Sequence, residues 1–167
     1  MIEIERKFLL KAMPDVLPTE VVKIDQFYFK NKEGVWERVR QWNSNLYGKR
    51  WIHTIKTKIS DFSNEEVEKD ITKLEYEEFK KGCRENKSNS RYIKKERWIY
   101  PDGDLYWEVD IFKDKCHIII AEIEIPTEDY DLKIPEFINK KLLMEVTGLK
   151  QFTNRSLSIK LTQYMKI

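Results

Sequence analysis

The chain has 167 residues and is charge-rich yet nearly neutral, with 31 Lys and Arg against 29 Asp and Glu. That balance provides no global field to draw it to nucleic acid or a membrane surface, so any anion site must come from local sorting of charge. The length suits a single domain over residues 1–167 with a core that needs no staples; Cys83 and Cys116, far apart and outside any CxxC pair, offer neither a disulfide framework nor a zinc site.

No apolar run approaches a membrane span, and Met1 leads into a charged segment instead of a signal peptide, so a soluble, cytoplasmic protein is expected. In Ile2-Glu3-Ile4-Glu5-Arg6-Lys7-Phe8, two acids and a base alternate with apolar residues. A strand would send Glu3, Glu5 and Lys7 to one face and Ile2, Ile4, Arg6 and Phe8 to the other. Residues 12–20, with two prolines, form a connection. Strands are then predicted over 22–30, 35–42, 51–60 and 65–71, with a turn at Asn43-Ser44-Asn45.

Thr72-Lys73-Leu74-Glu75 is a capping box that starts a helix carrying Tyr76, Phe79 and Cys83. After a short loop at 86–90, strands are predicted over 91–100 and 105–112, joined at Pro101-Asp102-Gly103-Asp104, and over 117–125. A second helix is expected over Ile134 to Met144, and a last one, capped by Asn154, with Leu157, Leu161 and Tyr164 on one side. The class is α+β, antiparallel, with seven or eight strands.

The alternation of like charges recurs: Arg38 and Arg40, Lys56 and Lys58, Glu66 and Glu68, Lys95 and Arg97, Glu108 and Asp110, Glu122 and Glu124. A solvated strand face mixes signs, because like charges opposite one another across strands are destabilising. The opposite parity, such as Trp107, Val109 and Ile111, suits packing under helices, which leaves the charged parity to line a common interior if the sheet closes. Trp98 and Trp107 share that apolar parity, so the tryptophans are assigned to the core and no nucleic-acid platform is expected. Converging carboxylates without His or Cys suit Mg²⁺ or Mn²⁺, and converging Arg and Lys suit phosphate oxygens. His53 and His117 are expected to be structural or exposed.

Glu3-Ile4-Glu5-Arg6-Lys7 resembles the ExExK signature of the CYTH superfamily, the triphosphate tunnel metalloenzymes, and the ordered charged strands through Asn154-Arg155-Ser156-Leu157 extend the resemblance over nearly the whole chain. The resemblance implies an eight-stranded antiparallel β-barrel, a tunnel with helices outside, that takes a triphosphate-containing small molecule and Mg²⁺ or Mn²⁺. It makes Lys7, Arg38, Arg40, Lys56, Lys95, Arg97 and Lys150 triphosphate ligands. Glu3, Glu5, Asp110, Glu122 and Glu124 become metal ligands, and Glu3, Glu5 and Lys7 the catalytic group. Gln151 and Phe152 depart from the family's pattern, and Arg155 is the alternative cation there. The implied activity is hydrolysis of inorganic triphosphate to diphosphate and phosphate. The alternatives are hydrolysis or cyclisation of an organic triphosphate, then a non-catalytic polyphosphate-binding module.

Overall fold

In the computed structural model, which describes residues 1–114 and 117–163, eight strands close into an antiparallel barrel. They are β1 (Ile2–Leu10), β2 (Glu20–Lys30), β3 (Trp36–Ser44), β4 (Gly48–Lys58), β5 (Ser63–Ile71), β6 (Ser90–Asp102), β7 (Leu105–Phe112) and β8 (Ile118–Glu124). Their order around the barrel is β6-β2-β3-β4-β5-β1-β8-β7, and pairing of β7 with β6 completes the ring. β3 runs on through Ser44, so the turn expected at 43–45 sits later and ends at Gly48, whose φ of 77° lies in the left-handed region that favours glycine.

Closure sorts the two parities. Outside, Phe27, Val39 and Tyr92 pack under helix α1 (Lys73–Glu85), which contributes Tyr76 and Cys83. The predicted capping box is present: Thr72 Oγ1 accepts from the Glu75 amide at 3.1 Å, and Glu75 Oε2 accepts from the Thr72 amide at 2.7 Å. Thr72→Ala should therefore cost about 1 kcal/mol, measured as a fall in melting temperature of roughly 2–4 °C. Around the barrel, Phe8, Trp107, Val109, Ala121 and Ile123 form a second outer core with Ile138, Phe137, Leu132 and Ile134 laid over it. Trp98 packs against this core too.

Two predicted helices are mostly something else. Of 134–144, only Glu136–Asn139 is helical (α2), and Leu142–Glu145 is a strand, β9. β5 pairs with β1 only at residues 2–4, which leaves the rest of that β1 edge without a ladder; β9 supplies one, opposite residues 8–10. At the C-terminus, α3 (Asn154–Leu157) is a single turn capped by Thr153, not Asn154, and strand β10 (Ile159–Lys160) on β6 and a 3₁₀ turn (Leu161–Gln163) follow. Leu157 and Leu161 are both buried, but in different clusters, and an extended link at Ile159 and Lys160 joins them where a continuous helix would hold both on one face. The expected positions Tyr164 and Cys116 lie outside the described residues.

Leu157 belongs to an apolar plug at one end of the interior, with Tyr28, Ile93, Phe112 and Ile120. Phe152, one of the departures from the family pattern, packs against the same plug. Among the described residues, no helix is long and apolar enough to cross a membrane.

Candidate active site in the barrel interior

The outer core requires Phe8 to face out, so β1 must turn Glu3, Glu5 and Lys7 in; Arg6 faces out and pairs with Glu145 at 2.7 Å. Register then brings charges together. Lys7 lies opposite Glu122 and Glu5 opposite Glu124 across β1 and β8, and Lys56 lies opposite Glu66 across β4 and β5. The Glu5 and Glu124 pairing sets like charges face to face, an arrangement that costs stability unless something between them is positive.

Two positive groups stand nearby: the Lys56 ammonium is 2.8 Å from Glu3 Oε2, 3.6 Å from Glu66 and 3.7 Å from Glu5. Lys7 stands 3.4 Å from Glu122 and 3.5 Å from Glu5. Opposite them, Arg38 reaches Glu66 at 3.4 Å and Arg40 reaches Glu68 at 2.7 Å. The site is nevertheless under-satisfied. Among the described residues, Arg38 Nε and Arg40 Nε are buried polar atoms without a hydrogen-bond partner, and the buried Glu3 Oε2 and Glu66 Oε2 share the one Lys56 ammonium. Native interiors rarely leave such atoms unpaired; water, an ion or a ligand usually completes them.

The titration behaviour follows from the same crowding. Burial raises the Glu3 carboxyl above the ordinary glutamate range, Lys56 opposes this, and Glu66 adds to the rise. Glu124 is raised by burial and by the charges of Glu3, Glu5 and Glu66. Glu5 is lowered: burial acts against its charge, but Lys7 and Lys56 together outweigh it. Burial and the neighbouring Arg38 guanidinium lower Arg40, so its charge has too little compensation.

Two adjoining cavities run through this region and share Glu5, Arg38, Lys56 and Asn154 as walls. One, of about 200 Å³, is lined by Glu3, Arg40, Glu66, Arg97, Glu122 and Glu124. The other, of about 230 Å³, takes in Lys7, Tyr28, Trp36, Leu149 and Arg155. Gly148 also lines it, with φ 74° and so close to Asp61 that a Cβ would meet that side chain at 2.8 Å.

Three candidates from the sequence stand apart from the cavity walls. Asp110 is fully buried and both its oxygens are occupied: Arg97 donates to it twice, at 2.7 and 2.9 Å, and Lys95 at 2.8 Å. Lys95 also donates to Asn154 Oδ1 at 2.9 Å and sits behind Arg97. Burial lowers the Lys95 ammonium to about 8, and Asp110 only partly offsets this. Lys150 is exposed and is not among the described lining residues, whereas Arg155 is. Conversely, Glu66, Trp36, Trp42, Tyr28 and Asn154 line the cavities without having been expected as ligands, and Trp36 and Trp42 correct the assignment of the tryptophans to the core. Parity could have found the tryptophans, since Trp36 and Trp42 share the inward parity of Arg38 and Arg40. His53 lies on the outer parity and pairs with Glu37 at 2.9 Å.

By sequence, the chain matches no protein-family model and no curated protein. Among solved structures it is similar to the inorganic triphosphatase NE1496, at 25% identity over 93% of both chains, with a TM-score of 0.61. That similarity supports the CYTH superfamily of triphosphate tunnel metalloenzymes. More distant solved structures share the fold. HpAC1 from Hippeastrum, an adenylyl cyclase-like protein described as having a dominant triphosphatase activity, is 15% identical over 75% of this chain and 80% of its own, with a TM-score of 0.55. A conserved protein from Pyrococcus furiosus is 18% identical over 83% and 84%, with a TM-score of 0.53.

Proposed function

We propose that this protein hydrolyses a phosphoanhydride bond of a triphosphate held inside the barrel, with inorganic triphosphate as substrate and diphosphate and phosphate as products. One observation carries the reading: guanidinium nitrogens of Arg38 and Arg40 without a hydrogen-bond partner among the described residues, and buried carboxylate oxygens of Glu3 and Glu66 that share the one Lys56 ammonium, belong to side chains lining the same cavity. A chain of phosphate oxygens satisfies the first group and a hard cation the second. The similarity to the inorganic triphosphatase NE1496 supports the same reading.

The all-oxygen donor set, in which two buried oxygens share one ammonium, fits Mg²⁺ or Mn²⁺, with Glu3, Glu5, Glu122, Glu124 and Glu66 as the residues to hold it. Asp110 leaves that set because its oxygens are committed to Arg97 and Lys95. Among the described residues, no three carboxylates are yet posed around one point, and the Lys56 ammonium stands among three of them. A bound cation supplies charge neutralisation on the phosphate oxygens and an acidified water.

The chain's own residues do the rest. Lys7, Arg38, Arg40, Lys56 and Arg97 grip the phosphates and align the scissile bond with the attacking water. Glu3, whose carboxyl is already the more basic through burial, takes the proton from that water as its oxygen attacks phosphorus. The guanidiniums stabilise the negative charge left on the departing diphosphate oxygen. No Ser, Cys or His nucleophile is needed.

A second reading, an organic triphosphate, has its own observation: the 230 Å³ cavity places Tyr28, Trp36 and Leu149 beside Arg38 and Lys56, so a flat ring has an apolar berth next to the phosphate grip. The discriminating experiment compares kcat/KM for inorganic triphosphate, ATP and thiamine triphosphate. If a ring stacks there, Trp36→Ala should lower kcat/KM for the organic substrate about tenfold or more and leave inorganic triphosphate far less affected. Preference of the wild type for inorganic triphosphate by any wide margin supports the first reading.

A further inference from the structure

Trp42 has no part in the chemistry described above, yet it lies at the centre of the cationic wall. It is on the inward parity of β3, two residues beyond Arg40, and lines the 200 Å³ cavity. The guanidinium carbons of Arg40 and Arg97 each lie 5.7 Å from its ring centroid, so one indole contacts two cations from different strands.

The reach is possible because of what β2 places between them. Trp42 is opposite Ile24, and Arg97 is opposite Val22; both β2 residues are short, apolar and almost completely buried. They form a low floor over which the indole extends toward β6. The two arginines are tethered unequally. Arg97 is fixed by its two-point contact with Asp110 and also meets Glu108, whereas among the described residues Arg40 makes one ion pair, to Glu68, and its Nε has no hydrogen-bond partner. Arg40 also faces the like charges of Arg38 and Arg97. With nothing flat to rest on, it has the carboxylates of Glu68 and Glu66 to follow and two cations to avoid.

We propose that Trp42 is a positioning residue whose ring is the shared platform that sets Arg40 and Arg97 as a prearranged pair of guanidinium forks for one end of a bound polyphosphate. The inference rests on the triphosphate reading above, and it assigns to a residue outside the charged motifs the geometry of two residues inside them. A cation–π contact is suited to the task because it attracts a guanidinium without neutralising it, leaving the N–H donors free for phosphate.

The test measures binding of inorganic triphosphate by titration calorimetry in EDTA, where turnover is suppressed, for the wild type and for Trp42→Leu, Trp42→Met and Trp42→Phe. The Leu and Met variants keep apolar bulk without an aromatic face; Phe keeps a smaller face. The expected result is affinity about tenfold weaker in Leu and Met and recovered to within about threefold in Phe, with melting temperatures close to the wild type. Steady-state kinetics with metal should place the loss in KM and not in kcat. Leu and Met variants that bind as tightly as the wild type, or a Phe variant as weak as Leu, overturn the role of Trp42. A wild-type protein that binds no triphosphate overturns the triphosphate reading itself, and the inference with it.

Discussion

Glu3→Gln is expected to lower kcat on triphosphate by about 10²- to 10⁴-fold while leaving the barrel folded. The substitution is nearly isosteric and keeps an oxygen in place, but removes both the base and one negative charge from the acidic wall. Its effect on stability should be small for a specific reason. Burial raises the Glu3 carboxyl, so the folded protein holds that proton more tightly than the unfolded chain does, and the ionised form is a cost to the fold. That cost appears as pH rises through the unfolded value and is complete above the folded one; Gln removes it. Lys56 keeps Glu5 and Glu66 as partners. Phosphate release, with circular dichroism to verify folding, measures the effect. Wild-type turnover in the variant would remove Glu3 from the mechanism.

Asp110→Asn should act in the opposite way, through the fold first. The carboxylate is fully buried beneath Arg97 and Lys95 and makes three hydrogen bonds to them. Burial opposes its charge, but the two cations outweigh burial and hold the carboxyl far below the usual range. Neutralising it strands two buried cations, at a cost of about 3–5 kcal/mol, or a fall in melting temperature of roughly 6–20 °C for a chain of this size. The pH dependence has a definite sign. A depressed folded pKa contributes stability that is fully present above the unfolded value, near 3.9, and is lost as pH falls below it. Thermal melts from pH 7 to pH 3 should therefore show an acid-side loss in the wild type that is reduced in the variant. A variant as stable as the wild type at pH 7 would mean that Asp110 is not the anchor of Arg97.

Much of this arrangement was legible in residue parity. Once Phe8 and Trp107 are assigned to an outer core, Glu3, Glu5, Lys7, Glu108 and Asp110 must face in, and the same argument places Arg38 with Arg40 and Glu122 with Glu124. Parity says which side a residue faces, but not how deep it sits or what it meets there. Asp110 and Glu124 share the inward side, yet one is sealed behind Arg97 and the other lines a cavity. That difference depends on the stagger of β7 against β6, a non-local quantity. Glu66 illustrates the converse: it belongs to a recognised acidic strand, but only the register opposite Lys56 brings it to Glu3.

The misread segments share a cause. Leu142–Glu145 becomes a strand because β1 has an uncovered edge there, and Ile159 and Lys160 extend because Leu157 and Leu161 on either side of them join different clusters. Both outcomes are dictated by distant partners, which override local helical periodicity. The capping box at Thr72 was readable for the opposite reason, since all its atoms lie within four residues.

The central claim is that cations and carboxylates sorted within one closed barrel act together on a triphosphate. Its most direct test is incubation of the purified protein with inorganic triphosphate and Mg²⁺ or Mn²⁺, quantifying diphosphate and phosphate, with EDTA in a parallel sample. The account predicts equimolar diphosphate and phosphate with metal and none with EDTA; no release with either metal would contradict it.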